Sequence, residues 1–187
     1  MRLLYVVQRY GHEVAGGAEL HCRQFATHLA ARGHEVHALT SRALSYVDWA
    51  NEYPPGTTDI DGVTVHRLPV AMPRRDEIFG PLNARVVWGY KPVPHHLQRE
   101  WMRMQGPYIP ELQPWLAEHA RSFDAVVFFT YLYYTTWAGL PVASSTSTTV
   151  LHPTAHDEPP LYLPIFDFMF RLPHALGFLT EEEVELV

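Results

Sequence analysis

The 187-residue chain has one cysteine, no excess of basic residues and no apolar run long enough to span a bilayer, and each shortage removes a class of function. Cys22 has no second cysteine to pair with. It falls on the expected core face of a helix, where a thiol behaves as a small apolar group rather than a nucleophile or redox centre. With 14 Lys and Arg against 20 Asp and Glu, the formal charge is −6. That balance argues against nucleic acid as the main partner and leaves Arg74-Arg75 as a solvated loop. No transmembrane segment is expected, and the chain runs into its first apolar strand without a basic leader or cleavage site, so it reads as cytoplasmic. The 12 histidines lack metal-ligand spacing. On a strand, His34-Glu35-Val36-His37 sends its two imidazoles to opposite faces, and the adjacent His95-His96 also diverge, so no metal site is expected. Internal repeats and low-complexity tracts are lacking too, which favours one domain over the whole chain.

What is present is concentrated in the first forty residues. The apolar run Leu3-Leu4-Tyr5-Val6-Val7 leads through a polar loop to Gly16-Gly17-Ala18-Glu19. A helix then follows, with Ala18, Cys22, Phe25 and Leu29 spaced along one face. Arg32-Gly33-His34 stops the helix, because glycine suits the left-handed position just past a helix end, and Glu35 to Thr40 resumes as a strand. Strand, helix and strand at this length form a right-handed parallel crossover, the opening unit of a doubly wound α/β domain. Two glycines at the mouth of the helix let backbone approach a ligand, and the uncapped helix end favours an anion. The same pair could equally make a tight turn and nothing more. The turn lacks G-x-G-x-x-G, the second strand closes on Thr40-Ser41-Arg42 without an acidic residue, and no Walker lysine appears. A nicotinamide enzyme is therefore disfavoured.

Beyond Thr40, the segment Tyr53 to Asp59 is dense in turn formers and reads as a loop before the alternating strand Val63 to Leu68. Prolines then punctuate an aromatic-rich insertion over residues 69–123, with helices expected near Leu97 to Met104 and Ile109 to Ala120. Phe79, Trp88, Tyr90, Trp101, Tyr108 and Trp115 lie in it, suited either to packing on the sheet or to forming a flank or lid over a ligand cleft. Ala125 to Phe129 is apolar throughout, as a central parallel strand buried on both faces requires. A helical turn over Tyr131 to Gly139, a strand over Thr148 to Leu151, a helix near Leu163 to Arg171 and a short strand over Ala175 to Leu179 follow. Thr180-x-x-Glu183 is a capping box opening a last helix. The polar segment His152 to Pro160 leaves the carboxyl end of its strand, as the glycine turn does, and ligands of open parallel sheets collect at such ends.

Four of these pieces together resemble the amino-terminal half of the retaining glycosyltransferases of the GT-B fold, the group called family four. They are Gly16-Gly17-Ala18-Glu19, the helix end Ala31 to Val36, Thr154-Ala155-His156-Asp157-Glu158, and Phe178-Leu179-Thr180. The resemblance covers essentially the whole chain. It implies a Rossmann-like three-layer α/β domain with a mostly parallel sheet, over residues 1–187. Such a domain binds a sugar or glycoconjugate acceptor, while a separate C-terminal domain holds the nucleotide-sugar donor as co-substrate. That donor domain, its paired glutamates and its diphosphate-clamping arginine and lysine have no counterpart here. No cofactor is implied, and the whole enzyme would be a hexosyltransferase. In the site, the resemblance makes His156 the catalytic histidine near the donor sugar and places Gly16, Gly17, Glu19 and Asp157 with the substrates, with His152 a rival to His156. The alternative is a non-catalytic binding or scaffold module on the same fold.

Overall fold

The computed structural model describes all residues from Met1 to Val187. Seven strands form one sheet in the order β3-β4-β2-β1-β5-β6-β7. They are β1 (Arg2–Val6), β2 (Glu35–Ser41), β3 (Gly56–Ile60), β4 (Val63–Leu68), β5 (Ala125–Phe129), β6 (Thr149–His152) and β7 (Ala175–Leu176). All pairings are parallel except β3 with β4. The chain winds outward from β1 to β4 and β3, returns, and winds the other way through β5, β6 and β7. The point of reversal lies between β1 and β5, where the loops that follow the two strands separate and leave a crevice.

Helix α1 (Gly17–Ala31) covers one face of the sheet. Cys22 and Ala26 sink onto Leu3, Tyr5, Val7, Val36, Ala38, Val63 and Val65 in a 12-residue cluster. The stripe sits about one residue away from the expected one: Glu19, Cys22 and Ala26 face inward, while Phe25 is exposed. The helix stops in the expected way. Gly33 adopts φ 85°, its N–H bonds the Ala30 carbonyl, and the His34 N–H bonds the Leu29 carbonyl, which satisfies two of the orphan carbonyls at the helix end. The opposite face carries α2 (Asp76–Val87), α3 (His95–Gln105), α4 (Leu112–His119) and α5 (Tyr134–Ser144), over a 26-residue cluster with Leu4, Val6, Leu39, Phe128 and Leu151 at its floor. The result is three layers, as expected for a Rossmann-like domain.

Several elements differ from the sequence expectations. Residues 56–60 form a strand rather than a loop. The two-residue turn Asp61-Gly62, both at positive φ, folds polar β3 back onto β4, the geometry a tight hairpin needs. Helix α2 runs through Pro81. The expected helix near Leu163 to Arg171 is a run of three-residue turns, in which Phe166, Asp167, Met169 and Arg171 each bond the carbonyl three residues back. Pro159, Pro160 and Pro164 lack the N–H groups for an α-helical ladder there. The last strand covers only Ala175–Leu176. α6 (Glu181–Leu186) starts as expected, with the Thr180 hydroxyl accepting from the Glu183 N–H at 3.2 Å.

The aromatics of residues 69–123 mostly build the second helical layer. Trp101 is 1% exposed, donates its Nε1–H to Asn83 Oδ1 at 2.8 Å and meets Phe166 edge-on. Trp115 packs on His66 and His119. Trp88 and Tyr90 lie exposed around the α2–α3 turn.

A half-buried imidazole pair sits beneath that layer. His37 and His66 lie coplanar, edge to edge, with ring centroids 5.2 Å apart, and share an Nδ1···Nε2 hydrogen bond of 2.9 Å. His37 Nε2 also bonds Glu35 Oε1 at 2.9 Å. Burial, then the neighbouring His37, His119 and Arg2, push the His66 pKa down to about 4. Burial and the neighbouring His21 push His152 down to about 4 as well. Both rings are therefore neutral in the folded chain yet protonate near pH 6.5 when unfolded, so the unfolded state binds more protons between these values. Stability is expected to fall as pH drops from about 6.5 towards 4. Urea unfolding at pH 7.5, 6 and 5 checks this: the decline should flatten in His66→Gln and His152→Phe, and a slope indifferent to both substitutions would contradict it.

Candidate functional site

The crevice at the reversal point is a cavity of about 330 Å³, lined by the loop after β1, the N-terminus of α1, the loop after β5 and the loop after β6. Gly16, Gly17, Glu19 and His156 all line it. The structure thus brings together two segments almost 140 residues apart in sequence, at the carboxyl edge of the parallel strands.

The two glycines sit there for different reasons. A Cβ on Gly16 would lie 2.2 Å from Glu19 Oε2 and 3.2 Å from Arg9 Nη2. Gly16 is thus glycine because a buried ion pair presses against it. A Cβ on Gly17 would meet nothing within 4 Å, so it opens onto the cavity. No side chain caps α1. Its first N–H groups and the positive end of its dipole face the space beside Gly17, a suitable seat for an anion.

Glu19 accepts from Arg9 Nε at 2.9 Å, and both side chains are 6% exposed. Arg9 further donates to the Leu44 carbonyl at 2.9 Å and the Ala15 carbonyl at 3.2 Å. One guanidinium therefore ties the glycine turn, α1 and the loop after β2 into a single wall.

The opposite wall stands on two threonines in a conformation that β-branched residues rarely adopt. Thr130 directly follows β5 at φ 67° and Thr154 follows β6 at φ 49°. Their hydroxyls hydrogen-bond at 2.9 Å, and backbone bonds from Thr130 to His152 and from Tyr131 to Pro153 tie the strand ends together. Strain held in this way is typical of ligand-facing loops. Beyond them, the Tyr131 hydroxyl donates to Glu158 Oε1 at 2.7 Å. Burial, then that hydrogen bond, raise the Tyr131 pKa. Burial likewise pushes Tyr133 up to about 12. Both phenols remain protonated donors at neutral pH.

The His156 loop is braced from outside by the capping box. Glu183, buried in the first turn of α6, accepts from the Ala155 N–H and the Leu179 N–H, each at 2.9 Å. Its carboxylate reaches the loop after β6 and the residue just before Thr180 instead of the backbone of Thr180 itself, so the box carries the His156 segment as well as starting a helix.

The remaining site candidates lie elsewhere. His152 is the last residue of β6, and strand alternation turns its ring sideways under α1. There it stacks on Phe129 at 4.9 Å and contacts His21 and Phe25. A Cβ on Gly177 would lie 2.5 Å from that ring. Asp157 is exposed outside the cavity and accepts from the Tyr162 hydroxyl at 2.7 Å. No residue of the 69–123 insertion lines the cavity. Sequence reasoning missed Arg9, Tyr46, Thr130, Tyr131 and Glu158, all of which do. Thr130 was reachable by the same strand-end rule that singled out the His152 to Pro160 segment. Tyr46 and Arg9 carried no signal of spacing. No group of three or more His, Cys, Asp or Glu side chains is placed to hold a metal ion, and no helix is long and apolar enough to cross a membrane.

Neither a family model nor a curated protein sequence matches the chain. Among solved structures, a trehalose-6-phosphate synthase, OtsA, superposes with a TM-score of 0.56 over 99% of this chain at 12% sequence identity. This chain spans 42% of that protein's length. At such identity the likeness is one of fold: the chain has a Rossmann-like α/β architecture that matches a domain of the GT-B fold.

Proposed function

We propose that this chain is the acceptor-side domain of a retaining glycosyltransferase of family four, whose donor-binding domain is a separate unit. The observation that supports this is the meeting of the Gly17 helix mouth and the His156 loop across one cavity at the sheet's reversal point. In this reading the α1 N-terminus and the open face of Gly17 receive the phosphate of a nucleotide sugar carried in by the donor domain. His156, exposed at the cavity edge, orients the donor sugar. Glu19 acts as a positioning residue by fixing Arg9 rather than by touching substrate. The chain's contribution to rate is placement and electrostatic stabilisation, and it supplies no nucleophile.

Such a half-cleft has the helix mouth for an anion but no clamp for a base and diphosphate. Calorimetric titration of the 187-residue chain with uridine, guanosine and adenosine diphosphates is expected to show no micromolar affinity, and the chain alone no transfer. A polypeptide joining it to a donor-binding domain should transfer hexose. Replacing one preorganised group at the reacting centre typically costs about 10²-fold in kcat, and His156→Ala should lose that much there at unchanged stability. Micromolar nucleotide binding by the chain alone, or full kcat in His156→Ala, would overturn the reading.

A further inference from the structure

The aromatic insertion does not reach the cavity, yet the turn between α2 and α3 holds two of its rings in water. Tyr90 is 106% exposed, so nothing in the chain covers it, and Trp88 is 65% exposed. The other four tryptophans are buried or half-buried. The display is built into the backbone. The Trp88 N–H bonds the Ala84 carbonyl at 3.1 Å and closes α2. A Cβ on Gly89 would collide with the Arg85 carbonyl, so only glycine lets the chain reverse so tightly there. On the far side, the buried Gln98 donates its amide to the Val93 carbonyl at 2.7 Å and accepts from the Ile165 N–H at 3.1 Å. Pro92 and Pro94 restrict the backbone between these anchors.

Charge indicates what meets this turn. Residues 84–105 carry four basic side chains and one acidic one, in a chain whose formal charge is −6. Arg103 pairs with Glu100. Arg85 and Lys91 are exposed and enter no ion pair. With Tyr90 they line one hollow of about 480 Å³. Aromatic rings beside free cations complement a surface that is apolar below and negative above. A protein partner would need roughly 800 Å² on each side and a matching shape, more than two rings on one turn supply. A bilayer needs no matching shape. Trp and Tyr settle at its headgroup level, and Arg and Lys beside them meet lipid phosphate.

We propose that the α2–α3 turn docks the protein on an anionic lipid bilayer, with Trp88 and Tyr90 entering the headgroup layer and Arg85 and Lys91 meeting lipid phosphate. This surface lies outside the cavity and is independent of the glycosyl-transfer reading. Vesicle flotation of the 187-residue chain tests it. The chain should float with equimolar phosphatidylcholine and phosphatidylglycerol, far less with phosphatidylcholine alone, and added salt should release it. Trp88→Ala/Tyr90→Ala should weaken binding at least about tenfold. Arg85→Gln/Lys91→Gln should weaken it by about fivefold for each cation removed. All four side chains are exposed, so both variants should keep the urea midpoint of the parent chain. Tryptophan emission should shift to the blue on anionic vesicles, and the shift should vanish in Trp88→Phe. Failure to float with anionic vesicles, equal binding to uncharged ones, or unchanged binding in either double variant would overturn the proposal. Heparin binding as tightly as the vesicles would assign the turn to a soluble polyanion instead. Self-association without vesicles, lost in Trp88→Ala/Tyr90→Ala, would assign it to a second copy of the chain; either result also overturns the proposal.

Discussion

Glu19→Ala is expected to lower the urea unfolding free energy by about 3–5 kcal/mol, the cost of leaving a buried charge without its partner. Arg9 and Glu19 are each 6% exposed, so the guanidinium left behind stays largely desolvated even though both residues border the cavity. Arg9→Met should cost a similar amount, because it strands Glu19 instead. The double variant Arg9→Met/Glu19→Leu removes both charges and fills much the same volume. It should lose far less than the sum of the two single changes, a non-additivity that a double-mutant cycle reads directly. The pair also joins the walls of the cavity through Ala15 and Leu44. The double variant should therefore recover stability before it recovers ligand binding. A loss below 1 kcal/mol in Glu19→Ala would mean that the pair is screened by solvent and that the wall is held by other contacts.

The parts of this fold that could be read in the sequence are those where burial imposes a pattern. β1 and β5 show as apolar runs because helices cover both faces, and Gly33 marks a helix end because its φ of 85° favours glycine. β3 was hidden for the opposite reason. As an edge strand with residues 56–59 exposed, it needs no apolar alternation, and its composition is that of a turn. The inward face of α1 was misplaced because an acidic residue is usually assigned to solvent. Glu19 turns inward only because Arg9, ten residues earlier and across a loop, meets it. The site followed the same division. Strand ends are local features, so the glycine turn and the His156 segment could be found from the chain. Tyr46 owes its place at the cavity to a loop pinned by Val70, Arg74 and Gln105, contacts that no single window contains. His152 and His156 are also set apart by geometry: the last residue of a strand still alternates with the pleat, whereas one four residues on has left the sheet.

Gly16 and Gly17 are adjacent and both exposed, yet substitutions at them are expected to act on different quantities. Gly16→Ala places a methyl against a carboxylate that cannot swing aside without breaking the Arg9 pair. It should cost about 1–3 kcal/mol of stability, the usual range for overpacking. Gly17→Ala enters open space at the first turn of a helix. There it should be neutral, or stabilising by up to about 1 kcal/mol, because alanine loses less chain entropy on folding. Gly17→Val keeps that stability but stands a branched side chain in the cavity mouth, across the approach to the α1 N–H groups. In the polypeptide joined to a donor-binding domain it should cut turnover at least about tenfold, or about 1.4 kcal/mol of transition-state stabilisation. Urea unfolding and initial-rate kinetics on the three variants separate the roles. Stability lost at residue 16 and rate lost at residue 17 place the backbone of Gly17 against substrate. Full turnover in Gly17→Val would make the second glycine, like the first, a packing device, and would move the anion away from the helix mouth.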